Sequence, residues 1–220
     1  MLSSAALQWI TIITMTLDHV GLYLLPGHSV FRIIGRIAMP IFVFTLAEGF
    51  IHTSSRQKYF MRLGILAVVS EVVYILLRNF IGINLPINVV MTLVLCFIAM
   101  LCAERGGIGW LGVMAIAAAA YLFDFEYGAP AIILAVAYYF ICNLRDFHVT
   151  YAVTLTIATG LFAFATAVNA NWWLQSYSAL AIMPLVLYSG EKGRRLPYRL
   201  NYIYYPLHLV VILIIYLALH

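Results

Sequence analysis

The chain has 220 residues, of which 65% are hydrophobic and only 9% charged, and its mean hydropathy is +1.02. A soluble domain is nearer half apolar and a quarter charged, so this composition excludes an ordinary soluble protein and predicts an all-α integral membrane protein. At roughly 20 residues per crossing, the length supplies about nine transmembrane helices joined by short loops, as a single transmembrane domain over 1–220 with no soluble domain. The net charge of +4 comes from basic residues in short connections between apolar runs, a pattern that reports orientation rather than nucleic-acid binding.

The first apolar segment, 5–25, carries Asp18 and His19. No Lys or Arg precedes it, and an acid and a histidine inside the run are unlike a signal-peptide core, so the segment is expected to be retained. The second, 30–52, holds Arg32 and Arg36 in its first half and Glu48 and His52 near its end. The third, 57–78, starts with Arg62 and carries Glu71 beside Ser70. Segments 86–103 and 107–123 follow, the latter with Gly109, Gly112 and the run Ala117 to Ala120, small residues that let helices approach closely in lipid. Segments 128–143, 148–168, 172–189 and 200–219 complete the set, separated by breakers such as Asn169-Ala170-Asn171 and Ser189-Gly190. Cys96, Cys102 and Cys142 have neither metal nor disulfide spacing and are read as packing residues, with no metal expected. Tyr138-Tyr139, Trp172-Trp173 and Tyr202, near segment ends, are expected in the interfacial aromatic belts. No internal repeat is evident, which disfavours an inverted-repeat transporter.

In this nine-span arrangement Arg56, Lys58, Arg62, Arg105, Arg145, Lys192, Arg194, Arg195 and Arg199 fall on one side. The opposite connections offer Arg78 with the acidic Asp124 and Glu126. The positive-inside rule then places the N-terminus in the cytoplasm and the C-terminus outside. The loop Asp124 to Gly128 is either a cation-attracting patch or a solvated turn, and the turn is the simpler reading.

An ionisable side chain inside a span is costly and marks a functional site by default. Asp18 and His19 point about 100° apart on a helix, so they face different partners and do not form a dyad with each other. Arg32 and Arg36 are four residues apart and share a face. The simplest assignment pairs Asp18 with Arg36 or Arg32, as a salt bridge that fixes the bundle, and leaves His19 for proton transfer. Arg32 is close enough to the span end to snorkel to water. His208, after Tyr204-Tyr205-Pro206, is the second candidate for chemistry, set against a plain interhelical hydrogen bond. Pro206 removes a backbone donor and is expected to kink its helix. Glu48, Glu71 and Tyr205 are read as substrate-binding or network residues.

These residues also carry a resemblance. Met15 to Gly21, Phe31 to Phe42, Ala47-Glu48-Gly49-Phe50, His52-Thr53, Tyr59, Arg62-Leu63, the Ala67 to Ser70 stretch and Tyr204 to Leu209 resemble the TraX family, known from conjugation systems in which pilin is N-terminally acetylated. The similarity spans most of the chain and is densest in 12–75 and 184–210. It implies a membrane acetyltransferase that uses acetyl-CoA as co-substrate, with kinship to the wider transmembrane acyltransferases. The acceptor stays open: a pilin-like N-terminus, another peptide or a small amine or hydroxyl compound. No catalytic residue is carried over from the family.

On chemical grounds His19 is the expected general base. Arg36, with Arg32, stabilises the developing oxyanion or an anionic group. Asp18 holds the arginine, and His208 supplies a second proton-transfer group; a route through an acetyl-histidine stays open beside direct transfer. The nucleotide end of CoA is expected on the basic face, at Arg62, Arg56, Lys58 or the Lys192–Arg199 cluster, although orientation alone also explains these charges. His19 lies far from that face, so Glu48 or His208 takes over the chemistry if the donor cannot reach it. The competing readings are a proton-coupled transporter, which also uses acids and histidines within spans, and a non-catalytic assembly protein whose buried charges fix helix pairing.

Overall fold

A computed structural model describes residues 1–82, 84–144, 148–169, 173–193 and 198–219. Helices dominate them, and no strand of a sheet occurs among the described residues. Their order is α1 (Ser4–Tyr23), α2 (Ser29–Gly35), α3 (Ala38–His52), α4 (Arg56–Ile81), α5 (Val89–Glu104), α6 (Gly109–Leu122), α7 (Gly128–Cys142), α8 (His148–Asn169), a 3₁₀ helix (Trp173–Ala181), α9 (Ile182–Val186) and α10 (Tyr198–Leu219). Each of the nine expected segments is met by a helix or a broken helix. Among the described residues, four stretches are long and apolar enough to cross a membrane: Ser29–His52, Arg56–Ile81, His148–Val168 and Tyr202–Leu219; α5, α6 and α7 are shorter apolar helices.

Two spans are broken, and proline explains both. Pro40 is the third residue of α3 and Pro184 the third of α9. A proline is tolerated in a first helical turn, where its missing N–H would be an orphan anyway, but it cannot continue a ladder from the preceding residues. Upstream of Pro40 the chain tightens, Arg36 N bonding to both Arg32 O (3.2 Å) and Ile33 O (3.3 Å) and Ile37 N to Ile34 O (3.3 Å). Pro206, by contrast, lies inside α10 and the helix runs through it.

Contacts between the ends fit nine alternating crossings. Leu2 bridges to Tyr188, and Ser4 N donates to Glu191 O (2.8 Å), so the start of α1 lies beside the end of α9. On the same face Arg56, at the start of α4, pairs with Glu104 at the end of α5. At the opposite face Ile87 bridges to Phe125, Ile87 N donating to Asp124 O (2.9 Å) and Glu126 N to Ile87 O (3.0 Å). Arg145, Arg194 and Arg195 lie outside the described residues, as does the side chain of Arg199, so the basic face rests here on Arg56, Lys58, Arg62, Arg105 and Lys192.

The core is centred on α3, α5 and α7, with Phe44, Phe50, Phe97, Met100, Ile132 and Tyr138 fully buried. Tyr138 therefore departs from the interfacial role expected of it: its hydroxyl meets Thr159 Oγ1 at 2.7 Å inside the bundle. Trp173 is 60% exposed, as a belt residue would be, and Trp172 lies outside the described residues. The small residues of α6 behave as expected. A Cβ at Gly112 would stand 2.9 Å from Cys102 Sγ, so glycine is what lets α6 seat on α5.

Candidate functional site

Asp18 is held from both sides. Arg32 Nη1 donates to Asp18 Oδ2 at 2.8 Å, and Arg36 Nη2 donates to Asp18 Oδ1. The three side chains are only 11%, 12% and 3% exposed, in that order. Arg32 therefore turns inward instead of snorkelling outward. The spacing explains the geometry: Arg32 and Arg36 flank Gly35, and Asp18 packs directly on the Gly35 backbone, where any Cβ would collide with its side chain. Gly21 does the same one turn later, where a Cβ would stand 2.6 Å from Phe31 Cβ. Two glycines thus bring α1 and α2 close enough for one carboxylate to accept from two guanidinium groups.

Arg36 reaches further. Its Nη1 donates to Tyr127 Oη (3.2 Å) and Gln175 Oε1 (3.2 Å), joining the α6–α7 connection and the 3₁₀ helix to the clamp. Tyr127 has φ +62°, rare for a bulky residue. The neighbouring Asp124 has φ +53°. These residues, with His19, Tyr74 and Glu126, line a cavity of about 470 Å³ on the half of the molecule away from the basic face.

Glu126 was expected in a solvated turn, and the structure corrects this. The loop is stitched down by the Ile87 bonds and by Thr92 Oγ1 donating to Glu126 O (2.8 Å), and Glu126 becomes part of the cavity wall. Burial pushes its carboxyl up to about 7, with Arg36 opposing the shift.

His19 turns away from Asp18 toward α10, as helix geometry requires. Its Nδ1 lies 2.7 Å from His208 Nε2, and the rings stack with centroids 4.9 Å apart and planes 12° apart. His208 Nδ1 faces Tyr204 O at 3.0 Å. A carbonyl oxygen only accepts, so His208 Nδ1 carries a hydrogen. In neutral His208 Nε2 is then the acceptor, His19 Nδ1 is the donor, and the lone pair of His19 falls on Nε2. A second tie sits one turn away. Thr16 Oγ1 donates to Ile12 O (2.7 Å), which leaves Tyr204 Oη to donate to Thr16 Oγ1 (2.7 Å). Tyr204 in turn stacks on His208, centroids 5.3 Å apart. Thr16 and His19 share one face of α1, and Tyr204 and His208 one face of α10.

Of the other expected site residues, Tyr205 joins the histidine pair and the rest are dispersed. Glu71 accepts from Arg78 Nη2 (3.1 Å), from Asn88 N (3.0 Å) and from Asn88 Nδ2. Asn88 Oδ1 caps α5 through Val90 N (2.8 Å), so Glu71 fixes the α4–α5 connection that carries Ile87 and is a network residue. Glu48 accepts from Tyr188 Oη (3.1 Å) and lies 3.8 Å from His52 Nε2, in the half nearer the basic face and away from the histidine pair. Arg56 is paired with Glu104 and sits over the Phe50 ring at 4.2 Å, and Lys58 is exposed near the start of α4. Arg62, the seventh residue of α4, lies beside Tyr59 and Tyr202. Tyr205 stands edge-on to both histidines, at 6.2 and 5.3 Å.

Residues 3–216 match the family model described as TraX protein. The chain is 29% identical to the probable fimbrial assembly protein FimC, serogroup H1, of Dichelobacter nodosus, over 96% of this chain and 94% of that one. A shorter match, 52% identical over 44 residues, is to an uncharacterized protein of Rickettsia prowazekii (strain Madrid E), covering 20% of this chain and 18% of that one. No solved structure matches.

Proposed function

From the premise that the chain belongs to the TraX family, we propose that it is a membrane acetyltransferase that moves acetyl from acetyl-CoA to an acceptor amine or hydroxyl in the cavity beside Asp18 and His19. The relative named as a probable fimbrial assembly protein supports a pilin-like N-terminus as the acceptor class. The observation that carries the reading is the tautomer fixed by the His19–His208–Tyr204 chain, which leaves a basic nitrogen on a histidine that lines a cavity with two fixed guanidinium groups.

In this mechanism His19 Nε2 accepts the proton of the acceptor N–H or O–H as that atom attacks the thioester carbonyl carbon. The new C–N or C–O bond forms and the C–S bond breaks, with its electron pair going to sulfur. The proton on His19 then passes to the thiolate and releases CoA as the thiol. His208 orients His19 and fixes its tautomer, the part an acid plays beside the histidine of a hydrolase triad. Its role is therefore to position His19 rather than to supply a second proton. Asp18 keeps Arg32 and Arg36 in place, and their guanidinium groups meet negative charge that develops in the cavity.

Purified protein given acetyl-labelled CoA and an N-terminal pilin-like peptide is expected to label the peptide. His19→Gln is expected to lower that transfer by roughly 10²–10⁴-fold while the protein stays folded. His208→Gln is expected to lower it less and to shift its pH profile. Full activity in His19→Gln removes the proposed base, and pH-driven solute uptake without CoA turnover replaces the reading with a transporter.

A further inference from the structure

A second cavity, of about 200 Å³, lies on the other side of the histidine pair. Its walls come from α1, α3, α4, α5 and α10. One end is near the basic face, where Tyr59 is the fourth residue of α4 and Tyr202 the fifth of α10, with Arg62 alongside. The other end is Met15 and Tyr205, one helical turn before His19 and three residues before His208. Along α1 the distance from Gln8 to His19 is about 16 Å at 1.5 Å per residue, so this cavity spans most of the gap between the basic face and the proposed base.

The lining suits a flexible amide-bearing chain better than a water path or a lipid tail. Apolar Ile12, Phe42, Leu46 and Leu63 alternate with the polar groups of Gln8, Thr45 and Tyr202. Gly49 keeps the wall thin, because a Cβ there would stand 2.8 Å from Tyr59 Oη. At the inner end the hydroxyl of Tyr205, a residue only 5% exposed, finds no hydrogen-bond partner among the described residues. A buried orphan donor of this kind calls for an explanation, and a ligand oxygen supplies one.

We infer that this cavity is the channel for the pantetheine arm of an acyl-CoA, entered from the basic face, with the Tyr205 hydroxyl at its inner end donating to the thioester carbonyl oxygen. The inference rests on the acetyl-transfer reading and answers the question of how a donor at the basic face meets His19. Donor and acceptor then approach the histidine pair from opposite sides. The tetrahedral carbon forms between them, and its oxyanion accepts from Tyr205 while the thiolate leaves back along the channel.

The test uses the full-length protein in detergent. Thr45→Phe fills the channel midway and is expected to raise KM for acetyl-CoA about tenfold or more, and to raise KM for the short donor N,S-diacetylcysteamine by a smaller factor. Tyr205→Phe is expected to lower kcat by roughly 10²-fold with little change in KM, the cost typical of one lost oxyanion donor. Binding is read separately: the cysteine of Thr45→Cys reacts with a small maleimide, over the background of the native cysteines, and CoA protects it. Protection supports the channel whether or not the acceptor is known. Turnover of acetyl-CoA with no protection, and with unchanged KM in Thr45→Phe, overturns the channel and leaves the acetyl-transfer reading standing. No turnover and no CoA binding in the unmutated protein overturns both.

Discussion

Two arginine–carboxylate pairings tie helices together at opposite ends of this bundle, and they differ in almost everything but chemistry. The Asp18 clamp with Arg32 and Arg36 is buried, shares one carboxylate between two guanidinium groups and is extended by Tyr127 and Gln175. The Arg56–Glu104 pair, with side chains 39% and 37% exposed, bridges the ends of α4 and α5 at the basic face. Water and salt screen the second, and exposed pairs of that sort are worth little. The first is buried and screened far less, so its value lies in the cost of breaking it. A functional site is expected where burial makes a charge arrangement fixed, and it is the buried clamp that borders the His19 cavity.

The largest effect should come from breaking the clamp at its centre. Asp18→Asn removes the carboxylate that two buried guanidinium groups share, with Glu126 the remaining acid of the cavity wall, and breaking a buried pair of this kind typically costs about 3–5 kcal/mol. Thermal unfolding in detergent should show a large drop, and acetyl transfer should vanish. Unchanged stability in Asp18→Asn would mean the clamp is no more costly to break than the surface pair.

Gly35→Ala sharpens the same comparison without touching a charge. The new methyl group collides with Asp18, so α1 and α2 must separate and the clamp must loosen. Overpacking of this kind costs about 1–3 kcal/mol. The expected signature is lower stability together with reduced activity, whereas an alanine at Gly64, where a Cβ meets nothing within 4 Å, should leave activity intact.

How much of this was legible in the sequence depends on the range of the interaction. The spans follow from apolar runs, because burial of the backbone in lipid dictates helices whatever else the chain does. The pairing of Asp18 with Arg32 and Arg36 follows from depth and from 3.6-residue periodicity over eighteen positions. The breaks at Pro40 and Pro184 were not foreseen: both prolines lie in the middle of apolar runs, 30–52 and 172–189, that continue past them. The His19–His208 bond was not readable. It joins positions 189 apart, and nothing local says that the first and last helices are neighbours. Glu126 was misjudged for a related reason. Its loop carries polar residues that fit a solvated turn, and only the Ile87 and Thr92 contacts, from a distant connection, fold it into the cavity.

That loop gives a pH-dependent test of whether the clamp region as a whole is shielded from water. The Glu126 carboxyl titrates near 7 when folded, above its ordinary value of about 4.5. Between those two values the folded state holds the proton more tightly than the unfolded state, so this group's contribution to stability is full below about 4.5 and is lost as pH rises toward 7. Glu126→Gln should flatten the unfolding temperature across that interval. A profile identical to that of the unmutated protein would place Glu126 in water after all.

The smallest effect belongs to the exposed pair, and it is where the comparison is most easily overstated. Glu104→Gln removes the Arg56 partner but keeps the length and most of the hydrogen-bonding capacity of the side chain. With both side chains exposed to more than a third, a loss of about 0–1 kcal/mol is expected, shrinking further in high salt. Arg56→Ala should cost somewhat more than Glu104→Gln, because it also removes the guanidinium that covers the Phe50 ring. Comparing the two variants at low and high salt separates the parts: the ion pair is screened, and the packing over Phe50 is not. If Arg56→Ala raises KM for acetyl-CoA while Glu104→Gln lowers it, Arg56 is released from Glu104 to meet the nucleotide. If neither changes KM, Arg56 is a strut of the basic face, and the donor must be held by Arg62 and the channel above it.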